Sequence, residues 1–348
     1  MDLNVETTQT PARESTRSAP LNIQAVADAA GVSKTTVSHV LSGNRPVSAA
    51  TRRKVERVIG ELGFRPNFFA QALNSKTSGT IALIAQDITN PFYPALARGL
   101  QHWVLQANQV VMLFDAGAGE NLTHAFIEDA IQRRVDGVVV AVSDVDAEIV
   151  QLQRAGIAVV AVGSGLSGLP IDWVSADDQR IAYDATQHLH RRGHRRIATI
   201  SGPIKTEPGA GRLAGYRKAL QELGLTDDLA LRGVADWTRD GGSAALRELL
   251  ALPEPPTAVF CANDLMAIGA MDAALESGLS VPQDLAIVGV DDIDAAGLVR
   301  PALSTVRVPA EEIGRAAGEL LQHRIADGAS SSLRHVLVQH TFIDRQSA

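Results

Sequence analysis

A small all-α helix-turn-helix head with a helix-capable segment behind it, then two doubly wound α/β lobes, is the architecture this 348-residue chain predicts. Three observations predict it. Helical spacing with Gly-containing turns governs residues 22–63. From Ile81 onward, β-branched runs alternate with amphipathic stretches. Charge, finally, is split unequally: residues 21–78 carry eight Lys/Arg against three acids, which leaves residues 79–348 at −11 within an overall −7. A basic module on an acidic body fits a nucleic-acid binder and equally, on charge alone, a solvated helix face. Other classes are excluded. Hydrophobic residues at 45% and charged residues at 20% exclude a wholly disordered chain. No apolar run approaches the roughly 18 residues of a membrane span. Residues 1–20 lack the basic start and apolar stretch of a secretory signal, which predicts a cytosolic protein, and their Thr, Ser and Pro content without apolar periodicity predicts a disordered leader. Cys261 is the one cysteine, so an internal disulfide is impossible.

In chain order, Asn22 caps a first helix with Ile23, Val26, Ala27 and Ala30 at helical spacing, broken by Gly31. Ser33 caps a second, containing Val37, Val40 and Leu41 and ended by Gly43. Ser48 caps a third, with Val55, Val58, Ile59 and Leu62 on one face before Gly63. Asn67–Leu73 can form a helix but is too short to be stable alone. The strand-like runs that follow are Ile81–Ala85, Val110–Phe114, Gly137–Val142, Ile157–Val162, Ile197–Ile200, Ala258–Cys261 and Leu285–Val290. Between them lie helical stretches from Phe92–Gln106 to Leu265–Glu276. Continuous β-branched runs are the mark of buried parallel strands, and about ten of them fit two lobes better than one sheet.

Ile23–Gly43 carries the most specific signal. A helix-turn-helix needs a small residue in its first helix (Ala27), Gly at the turn (Gly31) and an apolar anchor in the second helix (Val37). The second helix enters the major groove by its N-terminal residues. Lys34 and Thr35 project from that turn and His39 shares their face; all three can contact base edges. Ser33, Ser38 and Arg52 suit phosphates, which position without specifying.

With AVADAAGVSKTTVSHVLSG, RPVSAATRRKV and ELGFRPNFFAQAL in view, the head resembles the LacI family of bacterial transcription regulators. NPFYPALARGLQ, RRVDGVVV, GAGRLAGYRKAL, PTAVFCANDLMAIGAM and VPQDLAIVGVDDI extend the resemblance over nearly everything from residue 21, on the ribose- and purine-responsive branch. It implies a head over 21–65, a hinge helix and linker over 66–79, and a periplasmic-binding-protein-like core over 80–348 that binds an effector and dimerises. In the family the hinge helix folds with its twin on an operator and a Leu wedges into a central base step; Leu73 occupies that position. One departure is Ala25, where the family usually has Asp. The partners implied are pseudo-palindromic double-stranded operator DNA, a small-molecule effector and a second copy of the chain. Phe92–Gln106 and the Ala125–Arg133 region are the candidate dimer interface. No cofactor and no metal are expected.

Ligands of doubly wound sheets sit beyond the carboxyl ends of the strands. Asp87, Phe92, Arg212, Trp237, Asn263 and Asp291 all follow strand ends, and a guanidinium, carboxylates, an amide and aromatic planes form a polyhydroxyl-binding set. Arg212, Trp237, Asn263 and Asp291 match positions used by sugar-responsive members. Thr206 and Pro208 replace the Arg and Thr of purine-responsive ones, which disfavours a purine. Asp177 and Asp178 compete for one cleft position and the sequence leaves the choice open. The expected function is a repressor controlled by a sugar. A nucleobase-like corepressor and a sugar-transport protein are the alternatives, the latter lacking its signal peptide. Catalysis is not expected: Cys261 lies in an apolar run, and HLHRRGH is a basic helix end.

Overall fold

A computed structural model describes residues 21–42, 45–65, 77–117, 122–163, 169–205, 207–328 and 332–348. The chain divides into two compact units between Ser78 and Gly79.

The first unit holds helices α1 (Ile23–Ala30), α2 (Lys34–Ser42) and α3 (Ala49–Leu62). Their starts are fixed by side-chain caps. Asn22 Oδ1 accepts the Ala25 N–H at 3.0 Å, Ser33 Oγ that of Thr36 at 3.0 Å, and Ser48 Oγ that of Thr51 at 3.2 Å. Each cap is worth about 1 kcal/mol. Asn22 thus satisfies the end of α1, although Ala25 supplies no carboxylate there. Gly31 takes the left-handed conformation (φ 56°) that turns α1 into α2, and Gly63 (φ 65°) ends α3. Val26, Ala27, Ala30, Val37, Val40, Val55, Val58 and Phe64 close a core between the three helices. Gly43 and the expected hinge helix, Leu73 included, lie outside the described residues, as does the leader.

The second unit contains two six-stranded sheets. In the first lobe, β1 (Thr80–Ala85), β2 (Val110–Asp115), β3 (Gly137–Ala141), β4 (Ala158–Val162) and β5 (Asp172–Ala176) run parallel in the order β2-β1-β3-β4-β5. The second lobe repeats that order as β7-β6-β8-β9-β10, with β6 (Ile197–Ser201), β7 (Arg232–Val234), β8 (Ala258–Cys261), β9 (Ala286–Asp291) and β10 (Ser304–Arg307). Both are doubly wound, with switch points between β1 and β3 and between β6 and β8. Helices packed on both faces bury β1 and β3 entirely, as their unbroken apolar runs require.

Neither lobe is continuous in sequence. After β10 the chain returns to the first lobe as the 18-residue helix α12 (Ala310–Asp327; α4 to α11 are the helices between β1 and β10, numbered in order). It then adds β11 (His335–Val338) beside β5, crosses again, and pairs β12 (Thr341–Ile343) antiparallel with β10. The described residues therefore hold twelve strands, not about ten. α12 packs along α4 (Phe92–Val104), burying Leu96, Leu100 and Val104 against Ile313, Ala317 and Leu321 of the same chain. One apolar face of α4 is thus buried within the lobe, while Arg98, His102 and Leu105 stay exposed. Beneath α12, Arg324 clamps the fully buried Asp172 with two bonds of 2.8 Å, and the Arg334 N–H donates to the same carboxylate at 2.7 Å. Among the described residues no helix is long and apolar enough to cross a membrane.

Candidate functional site

In the head, Val37 and Val40 point α2 into the core, which leaves Lys34 and Thr35 exposed and Ser38 and His39 partly exposed on the other side. Two of the expected phosphate contacts are also engaged within the head. Ser33 Oγ caps α2 and lies 2.8 Å from Thr36 Oγ1. Arg52 Nη1 donates to the Val40 carbonyl at 3.5 Å and stands 3.9 Å from Glu56, tying α3 to the end of α2.

In the core unit the strand ends deliver a charged cluster. The loop after β6 leads into α8 (Gly209–Glu222), whose first turn carries Arg212. That side chain is 7% exposed; its Nε donates to Asp178 Oδ1 at 2.9 Å and its Nη1 to the Ala262 carbonyl. Asp291, the last residue of β9, places Oδ1 4.0 Å from Nη1. Trp237, beyond β7, lies with its ring 6.0 Å from the guanidinium carbon. Asn263 follows β8, capping α10 (Asp264–Glu276) through the Met266 N–H at 2.8 Å and donating Nδ2 to the Trp237 carbonyl at 2.9 Å. From the first lobe come Asp87 and, in α4, Phe92 and Tyr93. Asp87 Oδ1 is held by the N–H and hydroxyl of Thr89 at 2.8 and 2.6 Å, and Phe92 packs edge-on to Tyr93 at 5.4 Å. Ser143 Oγ donates to the Glu207 carbonyl at 3.1 Å, a bond between the two lobes.

The sequence-predicted Arg212, Trp237, Asn263 and Asp291 therefore converge. Asp178, one of the two acids between which the sequence left the choice open, joins them, as do Tyr93, Glu207 and Ser143, which were not expected. Asp178, not Asp177, is the partner of Arg212; Asp177 caps α7 (Asp178–Arg191) through the Arg180 N–H at 2.9 Å. Thr206 lies outside the described residues.

Burial dominates the electrostatics. It pushes Asp291 up to about 7 despite the opposing pull of Arg212, with Asp178 adding to the rise. It also raises Asp178 above the usual carboxylate range, although Arg212 opposes this. Burial, then Asp291, keeps the Tyr93 phenol protonated and able to donate. Arg212 stays charged because Asp178 and Asp291 outweigh its own desolvation. The Asp291–Asp292 backbone is left-handed (φ 113° and 61°), a costly conformation for either residue. It is held by Asp264, which accepts the Ile293 N–H at 2.9 Å and the Thr305 hydroxyl at 2.6 Å, and by Arg307 and Arg345 on Asp292 at 2.7 and 2.5 Å.

A pH dependence follows from these shifts. Between the ordinary aspartate value near 4 and about 7, the folded state holds a proton on Asp291 that the unfolded chain has lost. Stability of the core unit therefore falls as pH rises through that window and levels off above it. Asp178, Glu207 and Asp264 are also raised, chiefly by burial, and act in the same direction. Thermal melts from pH 4.5 to 8 should show a shallower slope for Asp291→Asn; an unaltered slope would exclude Asp291 as a contributor.

Elsewhere, Cys261 is fully buried and burial raises its thiol, as suits a core residue. His188 stacks on Phe342 at 4.1 Å and His194 bonds Thr257 at 3.0 Å. No group of metal-ligating side chains occurs among the described residues.

Comparison with known proteins places this arrangement. Residues 22–67 match the family described as bacterial regulatory proteins, lacI family, and residues 186–348 match the periplasmic binding protein-like domain. The ribose operon repressor of Escherichia coli (strain K12) is 36% identical over 309 residues, covering 86% of this chain and 92% of that protein. A transcriptional regulator CelR–cellobiose complex is 33% identical with a TM-score of 0.73, covering 94% of this chain and 100% of that one. The lac repressor dimer bound to operator and the anti-inducer ONPF is 26% identical with a TM-score of 0.84, covering 94% and 99%.

Proposed function

The chain belongs to the lacI family of bacterial regulatory proteins, and on that premise we propose that a sugar seated between its lobes sets its affinity for operator DNA. It is a sequence-specific DNA-binding regulator under effector control, and not an enzyme. The observation that carries the sugar reading is the buried Arg212–Asp178–Asp291 cluster beside the Trp237 ring, at the carboxyl ends of β6, β8 and β9. Carboxylates accept from hydroxyls, a guanidinium donates to them, and an indole face covers C–H surfaces. The cellobiose in the CelR complex supports the same ligand class. Arg212 and Asp291 from the second lobe, with Asp87 and Phe92 from the first, are the residues we assign to ligand contact. Closing the lobes on a sugar biases the hinge segments, and the shift is limited by the sugar's differential affinity for the two lobe arrangements. We assign the working form as a homodimer on a pseudo-palindrome, as the operator-bound lac repressor dimer suggests. Leu73 is assigned to the central base step and Ser33, Ser38 and Arg52 to phosphates.

The test is calorimetry with a sugar panel, joined to anisotropy titrations on a palindromic duplex selected from a random pool. A sugar that binds without altering DNA affinity would refute the coupling. On the DNA side, Lys34→Ala and His39→Ala are each expected to cost about 1–3 kcal/mol on the selected site and to narrow its margin over scrambled duplex. Arg52→Ala should weaken all sequences alike and also loosen the head, since Arg52 bonds the Val40 carbonyl. An unchanged specificity ratio for both Lys34→Ala and His39→Ala would remove them from the base-reading face.

A further inference from the structure

Three acids and one guanidinium meet at the first turn of α8, and their arrangement bears on the charge of the ligand. Arg212 directs Nε at Asp178 and Nη1 at the Ala262 carbonyl, with Asp291 at 4.0 Å. Glu207 turns its carboxylate back onto the same turn, where Oε2 accepts the Gly211 N–H at 2.9 Å. That N–H belongs to the open end of a 14-residue helix, the place where unpaired donors and the helix dipole ordinarily hold an external anion. The chain fills it with an anion of its own. Gly211 makes the crowding possible: a Cβ there would lie 2.6 Å from Glu207 Oε2 and 3.0 Å from the Asp178 Cβ. With all three acids ionised the cluster carries two more negative charges than positive, and with a proton on Asp291 it still carries one more. Beyond Arg212, Asp178 next feels Asp177, a further acid, and then His340, which is bonded to Asp184 at 3.0 Å.

We propose that this cleft takes an uncharged polyol and rejects its phosphorylated or acidic derivative, with Glu207 as the residue that enforces the choice. The inference rests on the cleft being the effector site. A hydroxyl can donate to each carboxylate and accept from the guanidinium N–H groups that remain, so the acids favour a polyol. A phosphate can only accept; it meets like charge and finds the helix end occupied.

The test uses the full-length protein, Glu207→Gln and Glu207→Ala. Glu207→Gln keeps an acceptor for Gly211 while removing the charge, which separates selectivity from helix capping. Calorimetry compares D-ribose, D-glucose and cellobiose with D-ribose 5-phosphate, D-glucose 6-phosphate and D-gluconate. Wild type is expected to favour a neutral sugar over its charged derivative by about tenfold or more, and both variants to narrow that ratio. A phosphate ester bound as tightly as its parent sugar, or a ratio unmoved by Glu207→Gln, overturns the proposal. In parallel, melts in inorganic phosphate against chloride at matched ionic strength should stabilise Glu207→Ala over wild type. Equal stabilisation of both overturns the charge rule. If no sugar binds wild type, the sugar reading falls, and this phosphate comparison still decides the charge rule alone.

Discussion

Arg212→Ala is expected to abolish the sugar response and to cost the core unit about 3–5 kcal/mol of stability. The loss comes from what stays behind. Asp178 and Asp291 would remain buried, each 8% exposed at the side chain, with no cation to offset their desolvation. Protonation relieves part of this. Asp291 is already pushed up to about 7, so the variant should lose less at pH 6 than at pH 8. Asp178→Leu and Asp291→Asn added to Arg212→Met should restore much of the stability, because neither carboxylate is then left as a buried charge without its cation. The sugar response should not return with it. Urea denaturation at the two pH values and calorimetry on both variants read these outcomes. Sugar affinity near wild type in Arg212→Ala would mean that the ligand sits elsewhere.

Arg324→Ala is expected to cost a similar amount, about 3–5 kcal/mol, through a site remote from any ligand. Asp172 is fully buried and accepts two guanidinium bonds and the Arg334 N–H. Those bonds tie α12 and the approach to β11 onto β5. Arg324→Lys should not rescue the loss, since a single ammonium cannot reproduce the two parallel bonds. Hydrogen exchange should show β11 amides opening far more often in either variant. A midpoint unchanged from wild type would show that the pair contributes nothing net.

The head was legible because its determinants are local: Asn22, Ser33 and Ser48 cap within three residues of their bonds, and Gly31 and Gly63 mark turns by their own backbone freedom. The central strands were legible for a related reason, since burial on both faces writes continuous apolar runs. β5, β10, β11 and β12 span only three to five residues, and β11 meets its partner β5 across about 160 residues of chain. α12 carries Ile313, Ala317, Leu320 and Leu321 at helical spacing, but Gly314, Ala316 and Gly318 dilute that face, and the helix was not among the expected elements. The cleft divides in the same way. Arg212, Trp237, Asn263 and Asp291 could be found because each follows a strand end. Tyr93 and Glu207 acquire their roles from neighbours 198 and 4 positions away, which no spacing rule announces, and the choice of Asp178 over Asp177 is made by Arg212, 34 positions on.

The threefold passage of the chain between the lobes, after β5, after β10 and after β11, limits how they can move. A single strap would leave two bodies free to swing and twist about it. Three straps side by side cannot all lengthen or shear together, so they resist twist and sliding and leave bending across their common line as the soft motion. The second unit is therefore built like a book stitched three times along its spine. A ligand that shuts the covers has one path to follow, and its binding energy goes into a single displacement.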